Sequence, residues 1–319
     1  MPCPYGNRRA IGVYFINVES AVGLGLLAED SWQNQYQLTL TLHTEAAEAE
    51  YLNANFEGTE NLTNLLLRQA TNILDKVKAY EVKIQMYMLQ TQPLKALEAG
   101  LQALEMMGIS QSHILECGRM EVQLPQLEQV ENFPEITEPE QLAALRFLVS
   151  ITGPALMNKP ELILPIILTQ INLCITQGYS PLSAFSYTCY GLVLCGAMGE
   201  VEKGYHAGQL SVKLLEKYGV NSIKGQVFNT FNGCVRPWKE HLRETLATLQ
   251  EGFQSGLEVG DLIYGGYCAF NYCNFLFFMG HELETLEQKQ AHYIDLFHKL
   301  KNEYIVSNFS ISCSTSKLH

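Results

Sequence analysis

Three glycines form the pattern that most restricts how this chain can fold. Gly178, Gly219 and Gly260 each follow a helical stretch, and successive members lie 41 residues apart. A glycine just past a helix end adopts the left-handed backbone conformation that closes the helix. Residues with side-chain oxygens follow each glycine and suit the cap of the next helix: Ser180, Asn221 or Ser222, and Asp261. The spacing therefore predicts helical hairpins of about forty residues.

Other residue types repeat with the same spacing. They include aromatic, small and branched positions: Tyr190, Phe231 and Tyr272; Ala184, Gly225 and Gly266; Val212, Phe253 and Ile294. The register is imperfect, because "FNTFN" and "FNYCN" align better 42 residues apart. A single hairpin cannot hide its apolar face, so such units stack on one another. We therefore predict an all-α solenoid of stacked antiparallel hairpins.

The stretch from Ser180 to Gly219 shows the predicted hairpin in detail. Apolar and aromatic residues recur at helical spacing before the "GE" dipeptide and again after it: Tyr187, Tyr190, Leu194 and Met198, then Tyr205, Leu210, Val212, Leu214 and Leu215. Nearer the N-terminus, helices are predicted over Trp32–Phe56, Asn61–Ile73 and Leu74–Thr91, with Gly58-Thr59-Glu60 as the first interruption. A fourth helix begins at Pro93 and stops before Gly108.

Five blocks describe the predicted organisation. They are an irregular lead-in at 1–30, helical hairpins at 31–108, a partly irregular acidic and proline-containing insertion at 109–137, helical repeats at 138–304 and a tail at 305–319. The acidic residues of the insertion between Glu128 and Glu140 are expected to form a solvated loop.

Composition excludes several classes of partner. The 319 residues carry a net charge of −12, with no evident basic patch, which argues against nucleic acid and anionic membranes. The most apolar run, Leu162–Ile175, is too short to span a bilayer. Arg8 and Arg9 precede an apolar stretch, but Glu19 interrupts it, so no secretory signal is expected. The nine cysteines lie mostly in apolar helical stretches, which favours buried thiols in a reducing cytoplasm.

Five segments carry a resemblance to a known family: "SWQNQYQLTLTLHTEAAEAEYL", "PLKALEAGLQALEMMGI", "SPLSAFSYTCYGLVLCG", "GYHAGQLSVKLLEKYG" and "GYCAFNYCNFLFFMG". Over Trp32–Tyr304, 273 of the 319 residues, the chain resembles the helical region of large bacterial sensor kinases. In that family a Ser/Thr kinase domain and a STAND-type ATPase precede a tetratricopeptide-like region, and GAF and histidine kinase domains commonly follow. The resemblance implies a right-handed solenoid of tetratricopeptide-like hairpins. Residues 1–30 and the tail "SNFSISCSTSKLH" depart from the family pattern, so we expect a truncated or rearranged piece of a longer product.

The catalytic motifs of such kinases are missing from the sequence. It contains no G-x-x-x-x-G-K-[ST] loop, no H-R-D-x-x-x-x-N loop, no D-F-G and no V-A-I-K. No C-x-x-C or H-E-x-x-H motif indicates a metal site. His206 is a conceivable general base, but no nucleophile or acidic partner can be assigned to it. We therefore expect no enzymatic activity, no cofactor and no metal, and a kinase or ATPase label would come from the parent architecture.

Binding residues are expected on the first helix of successive hairpins. Asn229 and Asn232, and likewise Asn271 and Asn274, lie three residues apart and so share one helix face. Their amides either hold a bound peptide, as the tetratricopeptide resemblance implies, or satisfy neighbouring helix carbonyls. Tyr264 and Tyr267 belong to a set of aromatics that either line a concave surface or wedge between helices: Tyr187, Tyr190, Phe228, Phe231, Tyr264, Tyr267, Phe270 and Tyr272.

The resemblance implies a regulatory arm that contacts other protein domains, namely ATPase, GAF or kinase modules, or a peptide. Two alternatives stay open from the sequence. One is a small-molecule sensor that binds its ligand on the concave face of the solenoid. The other is an enzyme of an unrecognised helical type.

Overall fold

The computed structural model describes residues 22–300, 302 and 304–309, and over these residues the chain is helical with no strand. One isolated parallel β-bridge joins Glu135 and Tyr179. The prediction of an all-helical chain is confirmed for this part of the sequence. The predicted lead-in before residue 22, including Arg8, Arg9 and Glu19, and most of the tail lie outside the described residues.

The chain forms two compact units. The first comprises Met1–Glu121 and Ile136–Gly178, and the second comprises Val122–Glu135 and Tyr179–His319. The two units are defined by packing contacts and do not test the five-segment organisation predicted from the sequence, which stays a prediction. Seven cysteines fall among the described residues as thiols rather than disulfides; all but the half-buried Cys234 are buried.

The first unit begins with a helical turn at 22–25 and continues through eight helices. The helices are α1 Ser31–Asn34, α2 Tyr36–Leu52, α3 Phe56–Gln69, α4 Ile73–Leu89, α5 Pro93–Met106, α6 Gln111–Cys117, α7 Pro139–Asn158 and α8 Ile163–Gln177. Consecutive helices pack together from α2 to α5, α7 packs on α4, α5 and α8, and α6 packs on α8. Short turns between packed neighbours make these antiparallel hairpins.

The break between α2 and α3 lies earlier than predicted. Asn53–Asn55 separate the two helices, whereas the sequence had placed the break at Gly58. The Asn55 side chain caps α3 by accepting a hydrogen bond from the Gly58 N–H at 3.2 Å. Gly58 therefore lies in the first turn of α3, because a capping asparagine starts a helix more strongly than an early glycine interrupts it.

The helical run over Pro160–Gln177 is long and apolar enough to cross a membrane. The prediction that no segment spans a bilayer considered only the shorter run Leu162–Ile175. In the structure, however, 56% of this segment is buried against protein. Gln170, at its centre, is fully buried and donates to the Leu148 carbonyl and to the Thr152 hydroxyl, both at 2.9 Å. A core helix packed on α7 explains both its composition and its polar contacts.

The second unit contains six further labelled helices and a short helix at 304–309. They are α9 Pro181–Gly196, α10 Val201–Tyr218, α11 Lys224–Thr230, α12 Leu246–Val259, α13 Leu262–Phe278 and α14 Leu283–Lys299. A π-helix at Phe231–Val235 and a 3-10 helix at Arg236–Trp238 continue α11, and other 3-10 helices cover Leu127–Asn132 and Leu242–Thr245. Three of the four residues predicted to form the α9 stripe are buried, but Met198 lies beyond the helix end and is half exposed.

Two of the three repeated glycines adopt the left-handed helix-closing backbone that was predicted, whereas Gly178 has a positive φ with an extended ψ of 176°. Gly219 and Gly260 end α10 and α12 in the left-handed region, with φ of 58° and 79°, and Gly178 has φ of 111°. Asp261 caps α13 by accepting from the Tyr264 N–H, as expected. Asn221 and Ser222 do not cap α11, because that helix begins two residues later with Ile223 at its N-cap.

The first helices of successive hairpins also pack on one another in the second unit. Helix α11 contacts both α9 and α13, while α10 and α12 pair with α9 and α13 respectively. The pairs approach closely at glycines. A Cβ atom added to Gly191 would lie 2.7 Å from the Gly204 carbonyl oxygen, and one added to Gly256 would lie 2.7 Å from the Gly265 Cα. Backbone therefore meets backbone, and any side chain at these positions would separate the helices.

Replacing Gly191 with alanine should destabilise the second unit by about 1–3 kcal/mol, because the new methyl group meets rigid backbone of α10. Urea denaturation followed by circular dichroism measures this change. Gly196→Ala on the same helix is the matched control, since its Cβ would enter open space. That control should be neutral or slightly stabilising, by up to about 1 kcal/mol from helix propensity. Equal effects of the two substitutions would contradict the close approach.

Candidate functional site

The aromatic residues of the first helices are mostly packed between helices. Tyr190, Phe231 and Tyr272, which share the 41-residue spacing, are all buried. Tyr187 is fully buried on α9, and Phe228 is buried on α11. Interhelix packing therefore describes Tyr187, Tyr190 and Tyr272, whereas Phe228 and Phe231 pack between helices and also line a cleft.

Asn229 and Asn271 meet across the packed pair of α11 and α13. The Asn271 Nδ2 donates a hydrogen bond of 3.0 Å to the Asn229 Oδ1. Asn229 is 8% exposed and Asn271 is half-buried. The two residues lie 42 apart in the sequence, which is the register in which "FNTFN" aligns with "FNYCN". The amide pair therefore joins neighbouring repeats.

Asn232 lies in the π-helical segment that continues α11. Its Nδ2 donates to the Phe228 carbonyl at 3.0 Å, and its Oδ1 accepts from the Arg236 Nη1 at 3.2 Å. The side chain is 1% exposed. Both amide atoms thus have partners within the helix, and Asn232 holds the Arg236 guanidinium in place. The π-helix that contains Asn232 is an irregular segment of a kind that often occurs at functional sites.

The remaining predicted binding residues lie on α13. Asn274 is half-buried, one turn after Asn271. The Tyr264 ring packs edge-on against Phe185 and Tyr267, with centroids 6.0 and 5.8 Å apart. Burial raises the pKa of the Tyr264 hydroxyl above its usual range, so the group stays protonated.

Tyr267 packs onto the short C-terminal helix of the second unit. Its hydroxyl lies 2.8 Å from the Tyr304 hydroxyl. Burial, followed by this hydrogen bond, raises the pKa of Tyr267. The described contacts of Tyr264 and Tyr267 are therefore contacts within the second unit.

A cleft of about 420 Å³ opens next to Asn232, between the end of α10, α11 and the start of α12. Of the six predicted residues only Asn232 lines it. The apolar part of the lining comprises Val212, Leu215, Val220, Phe228 and Phe231. Volumes of this order are typical of ligand pockets.

Charged side chains of both signs surround this cleft, and their positions are fixed by neighbours. Lys224 pairs with Glu251, and its Nζ lies 5.3 Å from the centroid of the Phe228 ring. Arg236 is bound to Glu240 at 2.8 Å and to Asn232. Both cations of the cleft are therefore already paired with carboxylates. Lys224 and Arg236 were not predicted as site residues, because neither belongs to a recognisable motif.

His206 is committed to a backbone contact. Its Nε2 lies 2.7 Å from the Pro125 carbonyl oxygen, so this nitrogen acts as the donor. On the same helix, the Lys217 ammonium donates to the carbonyls of Val130 and Phe133, at 3.1 and 2.8 Å. These contacts attach the segment 122–135 to α10. The acidic side chains of the segment are exposed, as expected, but its backbone is anchored rather than freely solvated.

Thiol acidity and metal-ligating side chains are two features of the described residues that bear on chemistry. Burial, followed by the neighbouring Cys234 thiol, raises the pKa of Cys189 to about 12, so its nucleophilic thiolate form is scarce at neutral pH. A search of the described residues finds no group of three or more histidine, cysteine, aspartate or glutamate side chains that could hold a metal ion.

Comparison with known proteins gives one distant relation. The chain is 20% identical over 331 aligned positions to the hybrid signal transduction histidine kinase G of Dictyostelium discoideum. The alignment covers 92% of this chain but 9% of that protein, so the chain spans about a tenth of its relative's length. No protein-family model matches the sequence. The chain is thus distantly similar to a segment of a signal-transduction kinase.

The Asn229–Asn271 contact should be measurable as a coupling energy. In a double-mutant cycle of Asn229→Ala and Asn271→Ala, we expect the two single changes to be non-additive by about 1 kcal/mol, since each removes the same partly buried hydrogen bond. Chemical denaturation of the four proteins provides the measurement. Additive effects would show that the two amides act independently.

Removal of the Lys217 ammonium should loosen the segment 122–135. Lys217→Met deletes two charge-assisted bonds to backbone carbonyls, and we expect a local loss of about 1–3 kcal/mol. Limited proteolysis, with the cleavage sites mapped by mass spectrometry, should show faster cutting between residues 122 and 135. Lys203→Met, on the exposed face of the same helix and paired with Glu200, is the control. Unchanged cleavage in Lys217→Met would contradict the anchoring role.

Proposed function

We propose that this chain is a non-catalytic helical-repeat arm that docks other modules of a cytoplasmic signal-transducing ATPase or kinase. In this proposal the hairpins form a tetratricopeptide-like solenoid. Its partners are the ATPase, GAF or kinase modules of the larger architecture, or a peptide segment of one of them. The chain itself carries out no chemistry and needs no cofactor.

The observation that carries this proposal is the alignment with the Dictyostelium kinase, which covers 92% of this chain and 9% of that protein. Nearly all of this chain corresponds to a small part of a large signalling protein. A region of that kind, helical and without the kinase and ATPase motifs, is suited to connect or regulate catalytic modules. The packing of α9, α11 and α13 on one another, with α10 and α12 as their partners, is the arrangement expected of stacked hairpins.

The cleft beside Asn232 is the proposed docking site in the second unit. Its apolar walls offer area to bury, and Lys224 and Arg236 offer charge at its edge. Lys224 and Arg236 already pair with Glu251 and Glu240. The two cations therefore contribute more to the orientation of a bound segment than to its affinity. This combination fits an amphipathic peptide segment that carries both apolar and acidic side chains.

A docking arm regulates a switch only when it binds one state better than the other. A coupling of roughly 1–3 kcal/mol between docking and the state of the ATPase is typical of such systems. Stacked hairpins suit this role, because each unit contacts only its neighbours and many small interfaces yield together.

Direct binding measurements test the docking proposal. The ATPase, GAF and kinase modules encoded alongside this chain are expressed separately and titrated against it by calorimetry, with and without nucleotide. We expect one module to bind, and we expect Val220→Arg, which fills the cleft, to weaken that binding roughly tenfold or more.

Val259→Arg is the matched control for this experiment. It makes the same substitution next to a repeated glycine of the second unit, but Val259 is exposed and does not line the cleft. The control should bind within about twofold of the native chain. Absence of binding under every nucleotide condition would refute the proposal, and equal weakening by both variants would remove the cleft from it.

A further inference from the structure

The first unit contains a cleft of a different chemical character. It has a volume of about 450 Å³ and is formed by α3, α4 and α5. Three cations line it, together with two amides, a tyrosine and two apolar side chains: Arg68, Lys76, Lys83, Asn64, Gln102, Tyr80, Leu67 and Met106. None of the lining residues is a carboxylate. By contrast, Glu216 and Glu251 line the cleft beside Asn232. A third cleft, lined by residues between 240 and 246 and between 278 and 281, includes the carboxylate of Glu240.

This concentration of positive charge is unusual for the composition. The chain has 33 acidic and 21 basic residues, so three cations without a carboxylate in one cleft run against its overall balance. Lys76 and Lys83 lie seven residues apart, two turns of α4, and therefore share one side of that helix. Arg68 is added from the last turn of α3.

Two of the three cations have no partner among the described residues. Neither Arg68 nor Lys76 makes an ion pair or a side-chain hydrogen bond within that part of the chain. Lys83 donates to the Asn64 Oδ1 at 2.7 Å, which uses one of its three N–H groups. Glu60, whose carboxylate acts electrostatically on Lys83, accepts a hydrogen bond from the Tyr87 hydroxyl at 3.1 Å. The cleft therefore presents N–H donors of Arg68, Lys76 and Lys83 that no described residue accepts, with Arg68 exposed and the two lysines half-buried.

The cost of this arrangement is visible at Lys83. Burial lowers the pKa of its ammonium, and Glu60 offsets the effect only in part. Burying a cation is unfavourable unless an anion or several hydrogen-bond acceptors compensate it. A bound anion would supply the missing compensation.

We propose that this cleft binds a small organic molecule through a phosphate or diphosphate group held by Arg68, Lys76 and Lys83. Guanidinium and ammonium groups are the side chains that bind phosphate oxygens most strongly. The volume exceeds that of a single phosphate, and Leu67, Met106 and Tyr80 offer apolar contact to the rest of the molecule. The chain would then sense a phosphorylated small molecule through its first unit.

The test uses the full chain and defined probes in a buffer of low ionic strength, about 20 mM, where screening is weak. Inorganic phosphate, pyrophosphate, ADP, citrate and a phosphothreonine peptide are titrated separately by calorimetry, and thermal melting is followed in parallel. We expect saturable binding of pyrophosphate or ADP, with a matching rise in melting temperature. Citrate and the peptide should bind more weakly.

Charge-removing variants locate the binding. Arg68→Gln and Lys76→Gln should each weaken pyrophosphate binding about tenfold, since each removes a charge-assisted contact. Arg119→Gln and Lys159→Gln are the matched controls, because they remove the same charges from the first unit outside the cleft. The controls should stay within about twofold of the native chain, and all four variants should fold normally.

Three results would overturn the proposal. The first is no saturable binding of any phosphate probe up to about 5 mM. The second is equal weakening by the cleft variants and their controls, which would show that net charge alone attracts the anion. The third is tighter binding of citrate or of the phosphothreonine peptide than of pyrophosphate and ADP, which would assign the cleft to another class of ligand. The module-docking experiment concerns the second unit, so the two proposals fail independently.

Discussion

Close contact between helix backbones is the constraint on which the second unit depends. At Gly191 and Gly204, and again at Gly256, paired helices approach so closely that an added methyl group would meet main-chain atoms. Such an approach buries the whole inner face of each helix against its partner. It also explains why aromatic residues beside these contacts, such as Tyr190 and Tyr272, are held between helices. The glycines set the separation, and the large side chains fill what remains.

Several helix ends of this unit were predicted from the sequence, because their signals are local. A glycine that takes a positive φ at the end of α10 or α12, and an aspartate that caps α13, act within one turn of the chain. The capping of α11 could not be foreseen, because Asn221 and Ser222 offer equally good oxygens and the helix begins after both. The choice depends on packing further along the chain.

The register between α11 and α13 could not be predicted from residue spacing alone. The turns repeat every 41 residues, but the Asn229–Asn271 contact spans 42 and the Cys268 thiol meets the Gly225 carbonyl 43 residues away. The turn from Gly219 to α11 is longer than the turn from Gly260 to α13, so no single spacing describes both turns and contacts. For the same reason the asparagine spacing placed Asn229 with Asn232, and Asn271 with Asn274, on shared helix faces without predicting the hydrogen bond between Asn229 and Asn271. The three cations of the first unit come from two helices, and only the interval between Lys76 and Lys83 carried a signal in the sequence.

The partly buried amide pair between α11 and α13 affects specificity more than stability. The hydrogen bond from Asn271 to Asn229 adds little net free energy, because both amides are well hydrated in the unfolded chain. A slip of α13 by one turn along α11 would separate the amides and leave the buried Asn229 without its partner. That loss costs more than the bond contributes, because an unsatisfied buried polar group retains its full desolvation penalty. The pair therefore selects one alignment of two helices whose apolar faces alone would tolerate several.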